Sequence, residues 1–237
     1  ILESYTLGNS FIVLSEKGII DSFNSEGMKI SRREISGNIV ASDSKAPFLI
    51  ISSSEGDVLL VSEKGEKKIL SGMNCNGIRV SEELIFISTE DGNILSIDKQ
   101  GGKRATANLR DTAIMCVSDD HDLIVVATDE GRMTLFNNHL DIIKSSPPAK
   151  DDIEVVNAIS PIVGGRFLAS RESLGAVIDD RPVNRLEFWD VKEGLLDLIE
   201  IPSRATCIQP SKNGYYVGCF DGKLLWIERE KDPTVIS

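Results

Sequence analysis

Short apolar runs recur along the chain: FIVLS at 11–15, FLIIS at 48–52, LIFIS at 84–88, LIVVA at 123–127, FLAS at 167–170 and YYVGC at 215–219. Each is followed by a polar turn and then a second apolar run, and the turns read SEKG, SEGD, EDGN, DEGR and FDGK, with the fifth unit an exception. An acidic residue beside glycine between two apolar runs predicts a hairpin, because a tight turn needs positive φ and glycine supplies it without steric cost. Aligned on the turn, the anchors are Gly18, Gly56, Gly92, Gly131, Asn184 in place of glycine, and Gly222. Two positions on stand Ile20, Val58, Ile94, Met133, Leu186 and Leu224; five positions on stand Phe23, Val61, Ile97, Phe136, Trp189 and Ile227. The sixth position is Asn24, Ser62, Asp98, Asn137, Asp190 or Glu228.

Side chains alternate faces along a strand, so the second and fifth positions point opposite ways. Both are apolar in every unit, which predicts small sheets covered on both sides by neighbouring sheets. After each second run comes a further turn, with glycine at Gly27, Gly65, Gly101 and Gly194, then a more polar stretch and a mixed one leading into the next unit. Four strands in about 40 residues, buried on both faces, predict a blade of a β-propeller. The expected fold is all-β, a propeller of six recognisable four-stranded repeats, with a seventh blade open if sequence precedes Ile1. The whole of 1–237 reads as a single domain with blades near 1–36, 37–72, 73–110, 111–150, 151–202 and 203–237. No 3.6-residue periodicity persists for three turns, which excludes a helical solenoid.

Charge and composition narrow the function classes. The 237 residues carry 37 acidic and 26 basic side chains, a net charge of −11, which argues against nucleic-acid binding through bulk charge. No apolar run approaches the roughly 20 residues of a membrane-spanning helix. Cys75, Cys116, Cys207 and Cys219 show no CxxC spacing, and are expected to be buried small hydrophobes in a reducing compartment, cytoplasm or nucleus. The chain opens at Ile1 without methionine, as expected of a trimmed protein or of part of a longer one.

The segment Leu186-Glu187-Phe188-Trp189-Asp190 resembles the WD-repeat family, whose blades often end their third strand in Trp-Asp, and EDGNILSID, DEGRMTLFN and FDGKLLWIE resemble the same element in degenerate form. The family's Gly-His pair is missing, since the histidines are His121 and His139. The buried Asp-His-Ser/Thr-Trp network of well-matched members is therefore not expected. The phrase Asp98-Lys99-Gln100-Gly101 is shared with quinoprotein-type propellers, but those usually carry docking tryptophans in most blades and this chain has Trp189 and Trp226. The resemblance implies a docking platform for a protein or peptide.

A candidate site follows from where the repeat spacing breaks. The anchors are 38, 36, 39, 53 and 38 residues apart. The fifth unit holds an enlarged turn between Ser170 and Arg185, and a long link at 145–152 precedes that unit on the same rim. Long loops on one rim of a rigid scaffold are common binding elements. The basic residues expected there are Arg132, Arg171, Arg181, Arg185 and Lys223, with Asp179 and Asp180 in the long turn, whereas Glu55, Asp57, Glu90 and Asp91 give the second and third units an acidic rim. The basic side suits an acidic or phosphorylated peptide; the alternative is that neighbouring carboxylates simply pair with these cations.

The acidic pairs 119–120, 151–152 and 179–180 lack the alternating spacing of a calcium loop. There is no G-x-S-x-G elbow and no phosphate-binding glycine loop, so no catalytic residue, metal or cofactor is expected. The alternative function is a propeller enzyme (hydrolase or lactonase) or a quinoprotein-like, small-ligand-binding propeller using a central channel. Against it stands an expected inner lining of Asn38, Asn74 and Asn157 with few charges. A structural subunit of a larger assembly is a third possibility.

Overall fold

A computed structural model describes residues 3–62, 65–109, 113–117, 123–128, 131–146, 154–174, 183–228 and 234–236. Among these, every regular element is a strand. The first blade comprises β1 (Glu3–Leu7), β2 (Ser10–Ser15), β3 (Ile19–Phe23) and β4 (Lys29–Glu34). The second comprises β5 (Ile39–Lys45), β6 (Phe48–Ser53), β7 (Val58–Ser62) and β8 (Gly65–Leu70), and the third β9 (Cys75–Val80), β10 (Leu84–Thr89), β11 (Asn93–Asp98) and β12 (Lys103–Asn108). In the fourth are β13 (Ala113–Val117), β14 (Ile124–Thr128), β15 (Met133–Phe136) and β16 (Ile142–Ser145). The fifth holds β17 (Glu154–Ile159), β18 (Arg166–Ser173), β19 (Asn184–Asp190) and β20 (Gly194–Glu200). The sixth holds β21 (Ala205–Ser211), β22 (Gly214–Cys219), β23 (Leu224–Glu228) and β24 (Thr234–Ile236).

Each blade is a four-stranded sheet whose strands neighbour one another in chain order, the six-bladed β-propeller pattern expected from the sequence. The chain divides into two compact units, Ile1–Ala113 with blades 1 to 3 and Ile114–Ser237 with blades 4 to 6. Within each unit the first strands of successive blades approach one another, β5 against β9 and β17 against β21. First strands are therefore inner, and fourth strands, such as the exposed β16, are outer.

The turn glycines have positive φ at Gly18 (76°), Gly56 (82°), Gly92 (76°), Gly131 (72°) and Gly222 (84°), the backbone state that selected glycine. A Cβ on Gly131 would stand 2.5 Å from the carbonyl oxygen of Glu154, so close approach adds a second constraint there. The carbonyls of Gly18, Gly56 and Gly92 accept the backbone N–H of Ile35, Met73 and Leu109, tying each turn to the end of the outer strand. Asn184 performs this task without being a turn. Its carbonyl accepts from Ile201 N–H, but the residue lies in β19 opposite Glu172.

The sixth aligned position proves to be a turn cap. Asn24 Oδ1 accepts from the N–H groups of Glu26 and Met28, Asp98 Oδ1 from Gln100 and Gly102, and Asn137 Oδ1 from His139 and Asp141. Asp190 Oδ1 accepts from Lys192 and Glu193. A short polar side chain that bonds the backbone two to four residues on nucleates this turn in blades 1, 3, 4 and 5.

Apolar side chains fill the seams between blades. In blade 2, Val58 packs towards blade 3 with Ile78 and Ile87, whereas Val61 packs towards blade 1 with Leu14 and Ile20. In blade 5, Leu186 faces blade 6 with Val217 and Ile227, and Trp189 faces blade 4, its ring stacked on Phe167 with centroids 6.2 Å apart. Burying one such large side chain is worth about 2 kcal/mol, so each seam holds its two blades together.

Polar stitches cross the same seams. Asp43 Oδ2 accepts from Val80 N–H at 2.7 Å, and Ser170 Oγ accepts from Ala205 N–H at 3.2 Å. The hydroxyl of Ser42 donates across to Glu3, which also accepts from Tyr5 of its own strand.

The inner lining differs from expectation. Asn38 and Asn74 precede β5 and β9 and belong to the links, where their carbonyls accept from Ser54 and Glu90 N–H. Only Asn157 lies in an inner strand, and the inner strands also carry Glu3, Asp43, Arg79 and Glu154. The thiols of Cys75 and Cys219 are buried as expected, but Cys207 is exposed. Burial pushes the Cys75 thiol up to about 11. The side chain of Cys116 lies outside the described residues.

Candidate functional site

The site expected on the rim of the second unit is rebuilt by the extra length of its strands. β18 and β19 continue past the usual turn position, pairing Arg171 with Arg185 and Glu172 with Asn184. These two arginines therefore stand directly opposite each other on one sheet face, and that face is turned into the seam with blade 4. Their side chains are 6% and 1% exposed. Like charges opposite each other would repel, but carboxylates on the same face neutralise them. Arg185 Nη2 lies 2.7 Å from Glu154 Oε1 and its Nε 3.0 Å from Glu187 Oε1. Arg171 Nε lies 3.1 Å from Glu187 Oε1 and Nη1 3.6 Å from Glu154 Oε2, while Nη1 also donates to the carbonyl of Gly131 at 2.7 Å.

Glu187 further accepts from the indole N–H of Trp189 at 3.1 Å. The tryptophan of the Trp-Asp pair thus anchors an Arg-Glu network. Arg171 and Arg185 are consequently structural groups, and the expectation that they present charge at the rim is corrected. The sequence signal for this was Glu187, in a run otherwise read as apolar alternation, and Glu154 at the start of the inner strand.

The remaining cations divide differently. Arg132 follows Gly131 at the turn of blade 4 and is half-buried, with its carbonyl accepting from Thr128 N–H. Lys223 is exposed, and its Nζ lies 2.7 Å from Asp221 Oδ2. That lysine holds the Asp221 carboxyl below the usual carboxylate range. Asp179, Asp180 and Arg181 lie outside the described residues, as do the acidic pairs 119–120 and 151–152, His121 and most of the link 145–152. His139 lies in the turn after β15. Among the described residues, no three His, Cys, Asp or Glu side chains cluster as metal ligands, and no helix is long and apolar enough to cross a membrane.

What the rim does present is a group that the charge pattern did not single out. Phe220 is 67% exposed in the turn of blade 6, at the position occupied by Glu16, Ser54 and Glu90 in other units. The guanidinium of Arg204 stands 4.3 Å from the centre of its ring, a cation–π contact. The backbone fixes both partners, because Phe220 N–H donates to the Arg204 carbonyl at 2.9 Å. Arg204 also reaches Glu172 Oε2 at 3.8 Å, and that carboxylate accepts from Asn157 Nδ2 at 3.3 Å. Leu174 and Val183, the exposed residues at the two roots of the long turn, add apolar surface. An aromatic residue in a turn that is polar elsewhere was the available sequence signal.

On the rim of the first unit, Asp57 pairs with Lys68 at 2.5 Å, while Glu55 and Glu90 are exposed. Asp91 accepts hydrogen bonds from the Thr89 hydroxyl and, at 2.6 Å, from Asn93 Nδ2. These bonds, the hydroxyl first, hold its carboxyl below the usual range.

No protein-family model and no curated protein sequence matches the chain. Solved structures do. The chain is similar to Sqt1 of Saccharomyces cerevisiae, with 12% identity over 96% of this chain and 69% of that one and a TM-score of 0.73. It is similar to the Pan2 WD40 domain of Neurospora crassa at 12% identity, covering 96% and 75% of the two chains, with a TM-score of 0.72. BamB from Moraxella catarrhalis matches at 11% identity over 99% and 86%, with a TM-score of 0.64. Four-stranded blades, glycine turns, the surviving Trp-Asp pair and these likenesses agree on one conclusion: the fold is a WD-repeat-like β-propeller.

Proposed function

We propose that the protein is a non-catalytic docking platform that presents the rim of turns and inter-blade links to a protein or peptide partner. The observation that carries this reading is the exposed Phe220 with Arg204 over its ring. Aromatic and arginine side chains are the types that anchor interfaces, and a rigid scaffold holds this pair ready for a partner. Leu174 and Val183, exposed at the roots of the long turn of blade 5, offer further apolar area for a partner to cover. The buried Arg-Glu network supports the same reading, since it fixes the roots of the long turn and leaves its charges spent internally. The free thiols suit a reducing compartment, cytoplasm or nucleus.

Affinity capture with the wild type and with Phe220→Ala/Arg204→Ala tests the proposal. The expected outcome is a partner recovered by the wild type and lost with the double variant, with the thermal melt unchanged. Equal recovery by both proteins removes the patch from the function. Shortening of the long turn is best confined to 175–182, because Arg171 and Glu172 belong to β18.

A further inference from the structure

Apolar packing does not fill every space beside the blades of the first unit. Between blades 1 and 2 the residual cavity is small, about 210 Å³, and Arg33 Nη1 bridges it by donating to the Ser62 carbonyl at 3.0 Å. A larger groove, of about 630 Å³, lies where the link from blade 2 meets blade 3. Met73 and Leu95 supply its apolar lining, and Asn74, Asn93 and Thr106 its neutral polar lining. At the rim end stand the carboxylates of Glu90 and Asp91, and at the far end stands the ammonium of Lys103.

The two ends are set by strand register. Asn93 opens β11 at the rim, and Lys103 pairs with Ile97, four residues along. At ~3.3 Å per residue Lys103 lies about 13 Å along the strand from Asn93, whose side chain holds the Asp91 carboxylate. That is the reach of an extended segment whose first and fifth residues carry opposite charges. The Asp91 carboxylate is already oriented by Thr89 and Asn93, so it loses little freedom on meeting a cation. β12 is the outer edge of its sheet, so the groove is bounded by a strand with one side open for backbone pairing.

We propose that the groove where the link from blade 2 meets blade 3 receives an extended peptide segment with lysine or arginine at the Glu90–Asp91 end and an acidic residue at the Lys103 end. Charge complementarity at both ends sets the direction of the segment, and Met73 and Leu95 take its intervening apolar side chain. The groove shares no residue with the Phe220–Arg204 patch, and the proposal stands or falls separately from it.

Fluorescence anisotropy with labelled six-residue peptides provides the test. The probes carry Lys at position 1 and Glu at position 5, Glu at both, or Lys at both, with Thr, Val and Ala between. The Lys–Glu peptide is expected to bind most tightly. Glu90→Gln/Asp91→Asn should weaken it about tenfold, whereas Glu26→Gln/Glu34→Gln, exposed carboxylates on blade 1, should leave it within about twofold. Thr106→Trp, which fills the groove from an exposed position, should abolish binding without lowering the melting temperature, and it serves if the first variant folds poorly. The proposal is overturned if the remote pair costs as much as the groove pair, if the Glu–Glu peptide binds equally well, or if no peptide binds at millimolar concentration.

Discussion

Asp43 sits in an inner strand with its carboxylate bonded to the backbone of the next blade, and burial pushes its pKa above the ordinary value. Arg79 and the N–H groups of Val80 and Ser44 pull the other way, and Glu3 adds to the rise. Ionising this group therefore costs more in the folded chain than in the unfolded one. The sign follows directly: its contribution to stability is fully present below the unfolded value and is lost as pH rises through the folded one. Asp43→Asn keeps an acceptor for Val80 N–H and removes the ionisation. We expect the variant to gain on the wild type in urea unfolding as pH rises from about 4 to 7. A difference between the two proteins that is constant over that range would contradict this. Residue-level facts of this kind were hidden in the sequence. Asp43 and Arg185 occupy positions that the alignment assigns to a mixed stretch and to a rim, and only their neighbours from other strands reveal that both are partnered inside.

Elements were far more legible. Gly56 and Gly92 foretold hairpins because their backbone state excludes most other residues, and the polar sixth position, aligned in the sequence without a role, is a local cap of the following turn at Asp98 and Asn137. Where the determinant is local, a single sequence contains it. The fifth hairpin was misjudged because its extension depends on a seam. Arg171 and Arg185 continue the ladder only since Glu154 and Glu187 neutralise them. Breaking that set should be costly: Glu187→Gln is expected to lower the unfolding free energy by about 3 kcal/mol, because it leaves buried cations under-compensated. Replacing Arg171 and Arg185 by Met and Glu154 and Glu187 by Leu together should cost less than the single change, as apolar packing substitutes for the network. A Glu187→Gln protein as stable as the wild type in urea titration would show that the network holds nothing.

At the scale of the whole molecule, stability within each unit is distributed over seams, each with its own apolar cluster. Ile51 belongs to the seam of blades 1 and 2, while Ile201 and Ile227 share the seam of blades 5 and 6. Ile→Val at any of these should cost about 1 kcal/mol. Ile51→Val and Ile227→Val are expected to add within about 0.5 kcal/mol, whereas Ile201→Val with Ile227→Val should depart from additivity. Chemical denaturation of the singles and doubles decides this, and strong coupling between Ile51 and Ile227, which belong to different clusters, would refute independent seams.

By itself the sequence determined the repeat, the turns and the apolarity of both blade faces, since these are written in local φ requirements and in the two-residue alternation of strands. Tertiary structure alone decided which charged groups remain at the surface. Arg171 and Arg185 went inside because Glu154, from the inner strand, and Glu187 met them there, and Phe220 stayed outside with the Arg204 guanidinium over its ring. Burial and pairing of a charge depend on residues distant in the chain, so no spacing rule within a single repeat contains them.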